Sequence, residues 1–156
     1  MTLAIAVEDP AQSEIARLLE DAEAYSASLY PAESNHHLPI EALRAPNVRF
    51  LVGRDAAGRA TATGAVMLHD GWAELKCMWV VPDARGTGAS KAILAALEAT
   101  ALQQGVGLLR LETGVANHAA LRLYARSGFV ARGPFADYRP DPLSVFMEKL
   151  LDPRKI

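Results

Sequence analysis

The chain has 156 residues, of which 51% are hydrophobic and 22% charged, and a formal net charge of -2. That length suits one domain with its own core, and the charge excludes a nucleic-acid binder that works through a bulk basic surface. The single cysteine, Cys77, cannot close an internal disulfide, which fits a reducing compartment. No basic segment precedes the apolar run 3–7, and no apolar run approaches a membrane span. The expectation is one cytoplasmic domain over 1–156 with neither nucleic-acid nor membrane partners.

Residues 3–7 read as a first strand. Asp9-Pro10 opens a helix in which Ile15, Leu18, Leu19 and Ala22 recur at helical spacing, extending to about Leu29. Tyr30-Pro31 stops it, and a polar loop follows over 31–39. A short helix is expected over 40–45. Three strands then form a meander at 48–54, 59–69 and 72–81, with turns at 55–58 and at Asp70-Gly71. From Gly88 the period becomes helical. Ile93, Leu94, Leu97 and Ala101 mark one face, and Gly105 ends the helix. A strand at 107–112, a helix at 117–127 closed by Gly128, and strands at 129–131 and 143–150 complete the order. In the last strand Val145 and Met147 share one face, opposite Ser144, Phe146 and Glu148. This is a mixed α/β pattern with antiparallel and parallel neighbours.

Between the third meander strand and the following helix lies Arg85-Gly86-Thr87-Gly88-Ala89-Ser90. A glycine-bearing strand-to-helix turn gathers the unpaired N–H groups of a helix start, and the helix dipole favours an anion there. Arg85 adds a cation. Two nearby glycines alone also describe an ordinary turn. The P-loop pattern is missing, and the dinucleotide fingerprint lacks its third glycine and its βαβ setting.

The run Val81-Pro82-Asp83-Ala84-Arg85-Gly86-Thr87-Gly88 resembles the coenzyme-binding motif of the GCN5-related N-acetyltransferases, Gln/Arg-x-x-Gly-x-Gly/Ala. Arg85 and Gly88 match, and Ser90 stands where the family has glycine or alanine. The resemblance continues through Leu111-Glu112-Thr113-Gly114, Asn117, Leu123-Tyr124, Gly128-Phe129 and the segments 134–138 and 141–149. It implies a mostly antiparallel central sheet flanked by about four helices. It also implies acetyl-CoA as cosubstrate, no metal, and direct transfer to a primary amine in a ternary complex. The acceptor is read as a small molecule, because no extended acidic docking segment is evident. Family members are often dimers, so a homodimer is open. An acetyltransferase for protein N-termini or lysines and a non-catalytic acyl-CoA sensor are the rival readings.

Acyl transfer to an amine requires loss of a proton from the amine, stabilisation of an oxyanion, and protonation of a departing thiolate. Tyr124 is the candidate acid, since a phenol keeps its proton at neutral pH; it could equally be a core aromatic beside Leu123 and Phe129. Glu74 is the candidate base, on a strand face expected to carry Lys76 and Met78 unless a bulge intervenes; Glu112 and His118 are its rivals. By resemblance, the backbone of Met78, Trp79 and Val80 meets the pantetheine arm, residues 85–90 meet the pyrophosphate, and Tyr124 stands over the sulfur. Asn117 either caps its helix or contacts the arm. Cys77 reads as a small buried hydrophobe rather than an acylated nucleophile. The loop with Glu33-Ser34-Asn35-His36-His37 is read as an acceptor-side wall rather than a metal site. Phe135, Asp137, Tyr138 and Arg139 are expected to form another wall.

Overall fold

The computed structural model describes residues 2–35 and 37–155. β1 (Ala4–Val7) leads into α1 (Ser13–Leu29) and α2 (Ile40–Leu43), then the meander β2 (Val48–Arg54), β3 (Ala60–Leu68) and β4 (Ala73–Val80). The second half runs α3 (Ala89–Gln103), β5 (Leu108–Gly114), α4 (His118–Arg126), β6 (Val130–Arg132) and β7 (Ser144–Leu150). Single turns of 3-10 helix at Ala32–Ser34, Pro82–Ala84 and Pro153–Lys155 fill connections. The seven strands make one sheet in the order β1-β2-β3-β4-β5-β7-β6. Every pairing is antiparallel except β4 with β5. The mixed α/β architecture expected from the sequence is therefore present.

The differences from expectation have local causes. α1 begins at Ser13 rather than at Pro10, because the Asp9 carboxylate accepts the Ala11 N–H at 2.9 Å and forms a turn ahead of the helix. β5 runs two residues past Glu112, because β7 pairs with it as far as Gly114 opposite Ser144. Tertiary pairing extends this strand beyond its apolar stretch.

Both faces of the sheet are covered. On one face α3 and α4 bury Leu75, Ile93, Leu94, Leu97, Leu109 and Leu111 in one cluster. On the other, α1 and α2 bury Ile15, Leu18, Leu43, Phe50, Val52 and Ala65. The central strands β2 and β3 are therefore buried along nearly their whole length, without the alternation of a half-exposed sheet. Over the α1 side of β5 and β7, the segment before β7 folds back as an aromatic cap. Phe135 meets Trp72 and Phe146 edge-on at 5.5 and 5.8 Å. Lys149 of β7 reaches Glu98 of α3 at 2.9 Å and ties that helix to the sheet.

Gly114 ends β5 under the ring of Tyr30. A Cβ at Gly114 would lie 1.9 Å from the Tyr30 hydroxyl and 2.1 Å from Cζ. The hydroxyl in turn accepts the Ala116 N–H at 3.0 Å. The end of α1 is thus locked onto the end of β5 by one buried phenol. Gly114→Ala should expel Tyr30 and lower stability by about 1–3 kcal/mol, the usual cost of overpacking. Urea unfolding monitored by circular dichroism reads this as a lower midpoint at an unchanged slope.

Candidate active site

β4 and β5 pair at only two positions, Ala73 with Leu109 and Glu74 with Arg110. Beyond them β5 stays with β7 while β4 stays with β3, so the two strands part. A bulge marks the divergence on β4. Lys76 faces Ala65 and Trp79 faces Thr63, so Cys77 and Met78 together oppose Gly64. Cys77 sits at φ 58°, in the left-handed region, and its carbonyl accepts the Thr63 hydroxyl at 2.8 Å. Strained backbone of this kind recurs at functional sites. The bulge also corrects the expected alternation. Trp79, in place of Met78, shares a face with Glu74 and Lys76, while Met78 packs with Leu75 against the α3 cluster.

A cleft of about 470 Å³ fills the opening and runs from Ser90 past Tyr124 to α1 and the 31–39 loop. At its upper end Gly86 and Gly88 have φ 78° and 86°, and Gly88 is the N-cap of α3. Neither position suits a side chain. No side chain caps α3, so its first-turn N–H groups, on Ala89 and Ser90 among them, have no intrahelical partner. Ala89 is buried beneath the turn and Ser90 lines the cleft, so serine here is compatible with helix entry. The Thr87 hydroxyl donates to the Ala84 carbonyl at 2.6 Å. The Arg85 side chain lies along the cleft wall: Nε donates to the Val80 carbonyl at 3.1 Å, and the guanidinium covers the Trp79 ring at 4.9 Å. It is held by the protein in this arrangement, and Val80 has a carbonyl already engaged.

In the middle of the cleft Tyr124 is 5% exposed and meets Phe129 edge-on at 5.5 Å. Burial pushes its phenol well above the ordinary tyrosine range, which keeps the proton on it. Tyr124 both packs against Phe129 and stands on the cleft wall. Asn117 is the N-cap residue of α4 but makes no side-chain cap. Its Nδ2 donates to Thr113 Oγ1 at 3.3 Å, and its Oδ1 is buried without a partner among the described residues, on the wall of the cleft. An orphaned amide oxygen costs free energy unless a ligand donor reaches it.

Glu74 stands behind the cleft wall, 6% exposed. Its Oε2 accepts the Tyr138 hydroxyl at 2.5 Å and the Lys76 ammonium at 3.3 Å. Lys76 also donates to the Tyr138 oxygen at 3.0 Å. Burial, reinforced by the hydrogen bond to Glu74, raises the Tyr138 phenol, so it stays protonated and donates to the carboxylate. Lys76, Glu112 and His118 do line the cleft. Glu112 accepts the Ser144 hydroxyl at 2.8 Å, which fixes it against β7. Of the expected second wall, Phe135 is buried in the aromatic cap, Asp137 and Arg139 are exposed, and Tyr138 reaches the site only through Glu74 and Lys76.

The 31–39 loop contributes Ser34, His37, Leu38 and Pro39 to the cleft; His36 lies outside the described residues. Asn35 organises the loop, donating to the Tyr30 and Pro31 carbonyls at 3.2 and 3.1 Å. Ser34 donates to Asp141 at 2.7 Å, which closes the loop onto the segment before β7. Tyr25, Tyr30 and Trp79 line the same space. Sequence reasoning missed Tyr25 and Tyr30, whose one signal is their place at the end of α1, on the turns after the apolar stripe. Cys77 also lines the cleft, with its thiol pushed up to about 11, chiefly by burial.

A mixed sheet opened between its one parallel pair, with a glycine turn leading into the next helix, defines the acyl-CoA N-acyltransferase class. The chain belongs to the acetyltransferase (GNAT) family, whose model matches residues 14–129. It is 44% identical to the IAA acetyltransferase of Azospirillum brasilense, over 94% of this chain and 97% of that one. It is 35% identical to the uncharacterized N-acetyltransferase YedL of Escherichia coli K12, over 78% of this chain and 77% of that protein. A Klebsiella pneumoniae structure described as an acyl-CoA N-acyltransferase superposes with a TM-score of 0.83 at 38% identity, covering 97% of this chain and 99% of that one. The PaiA N-acetyltransferase of Thermoplasma acidophilum, solved with coenzyme A, shares the fold with a TM-score of 0.74 at 17% identity, over 96% and 99% of the two chains. The protein is thus an acyltransferase. Among the described residues no helix is long and apolar enough to cross a membrane.

The raised thiol has a direct consequence. Cys77 should alkylate slowly with iodoacetamide at pH 7–8 and progressively faster towards pH 11, because only the thiolate reacts. The rate of modification, followed by intact-protein mass spectrometry, checks this.

Proposed function

We propose that the protein transfers the acetyl group of acetyl-CoA directly to a primary amine of a small molecule. The acceptor lies between α1, the 31–39 loop and the parted strands. One observation carries this reading: a single cleft is lined by Ser90, Tyr124, Lys76 and Ser34, so a coenzyme side and an acceptor side meet without a barrier. The residues present suit the coenzyme. The open turn with its positive-φ glycines offers N–H groups to a pyrophosphate. Asn117 offers an unpartnered oxygen to an amide N–H of the pantetheine arm, and β4 beyond Glu74 has no β5 partner on its cleft edge.

Acetyl-CoA supplies an acetyl group activated as a thioester. Tyr124 holds a proton within the cleft and gives it to the leaving thiolate. Glu112 takes the proton of the amine in this reading, because it lines the cleft whereas Glu74 lies behind its wall. Met78, Trp79 and Val80 border the opening and supply the backbone edge along which the acyl chain is oriented. A thioester and an amine brought together in one cleft need no acyl-enzyme. The raised thiol of Cys77 agrees with that.

Two experiments test the assignment. Tyr124→Phe should lower the rate of thiol release from acetyl-CoA roughly 100-fold, the scale of general acid catalysis, with the dissociation constant for coenzyme A unchanged in calorimetry. An unaltered rate removes Tyr124 from the chemistry. Glu112→Gln should lose most activity at low pH, where the acceptor amine is hardest to deprotonate, steepening the pH profile of kcat/KM. If Glu74→Gln does this and Glu112→Gln does not, the base is Glu74.

A further inference from the structure

The acceptor side of the cleft carries charges of both signs. Glu20 and Glu23 line it from α1, Glu112 from β5 and Lys76 from β4. An acceptor that was only an amine would need carboxylates there and would be repelled by a lysine. Yet Lys76 is inside the wall, its side chain 13% exposed. It is also fixed in place. Glu74 Oε2 and the Tyr138 hydroxyl take two of its three ammonium donors, at 3.3 and 3.0 Å. Among the described residues, one donor is left for a ligand in the cleft. A ligand bringing no acceptor would strip water from that donor and leave it bare.

The position of Lys76 across from Glu112 follows from the register. Glu74 and Arg110 are the last aligned pair of the parallel strands. The next residues on the same face are Lys76 on β4 and Glu112 on β5, one on each bank of the opening. A cation and a carboxylate on facing banks suit a ligand that carries both an anionic and an amino group. The remaining wall is mostly apolar, with Leu19, Leu38, Ile40, Leu43, Trp79 and Leu143. It gives the body of the ligand a place away from water.

We propose that the acceptor is an α-amino acid with an apolar side chain, whose carboxylate is held by Lys76 while its amine faces Glu112. The inference rests on the acetyl-transfer reading above and deepens it. Lys76 then selects the acceptor, and Glu74 with Tyr138 are positioning residues that hold the ammonium at the cleft wall.

The test compares leucine and phenylalanine with their decarboxylated amines, isoamylamine and phenethylamine. Initial rates are read as thiol release from acetyl-CoA. The wild-type protein should show kcat/KM at least 10-fold higher for the amino acids. In Lys76→Met that ratio should fall towards one, the loss being at least 10-fold greater for the amino acid than for its amine. Equal rates for the two members of each pair in the wild type, or an equal loss for both in the variant, would overturn the proposal. Calorimetric titration of the same four compounds into wild-type protein loaded with coenzyme A separates this idea from the transfer reading and needs no variant. Amino-acid binding without turnover of any amine retains the acceptor site and sinks the transfer reading. Turnover of the amines with no preferential binding of the amino acids sinks the acceptor site and retains the transfer.

Discussion

The parting of β4 from β5 is the constraint on which the rest of the molecule depends. Parallel strands joined by a helix ordinarily pair along their length, because unpaired backbone in a buried sheet is costly. Here the pairing stops after Glu74 and Arg110. β7 takes over the far edge of β5 through Gly114, and the bulge at Cys77 turns β4 away. The opening creates a slot through the sheet that the packed helices on either face cannot fill. α3 begins just above it and α4 lies beside it, so a helix start, a buried phenol and an orphaned amide oxygen all border the same space. The catalytic reading is a consequence of that opening more than of any one side chain.

Two devices hold the slot in shape. The phenol of Tyr30 sits where a Cβ of Gly114 would be and binds the Ala116 N–H, so the end of α1 cannot slide from the end of β5. The second is the group of Glu74, Lys76 and Tyr138. A buried carboxylate needs partners, and it has a phenol and an ammonium from different parts of the chain. This group joins β4 to the segment before β7 on the floor of the acceptor side. Glu74, the carboxylate that sequence reasoning favoured as a base, is tied in this group to the lysine next to it. Arg85, expected to serve the pyrophosphate, lies over Trp79 with its Nε on the Val80 carbonyl.

Much of the architecture was legible because it is written in periodicity and in turn residues. Ile15, Leu18 and Leu19 announce α1, Asp55 to Gly58 announce the β2–β3 hairpin, and Gly88 and Gly105 bracket α3. The glycine turn was legible too, since a helix start after a buried strand has a known electrostatic character wherever it occurs. Less was legible on β4. A bulge depends on how one strand meets its neighbour, and nothing in the run from Glu74 to Val80 shows that Cys77 takes a positive φ. Every inference about which side chains face the cleft inherited that ambiguity, since one inserted residue exchanges the two faces. The wall expected from Phe135 to Arg139 failed for a related reason. Those aromatics find Trp72 and Phe146, partners distant in sequence, and cap the sheet rather than line the cleft.

The sequence by itself determined the order of strands and helices, the glycine-bearing turn at 85–90 and the places of Asn117 at the start of the helix that follows β5 and of Tyr124 on it. These are local properties, set by the spacing of apolar residues and by glycines at helix ends. The tertiary structure alone decided that β4 and β5 separate, that Lys76 and Glu112 face the cleft while Glu74 lies behind it, and that Tyr30 closes over Gly114. Each of these depends on pairings between segments far apart in the chain, where packing and register, rather than local preference, set the geometry.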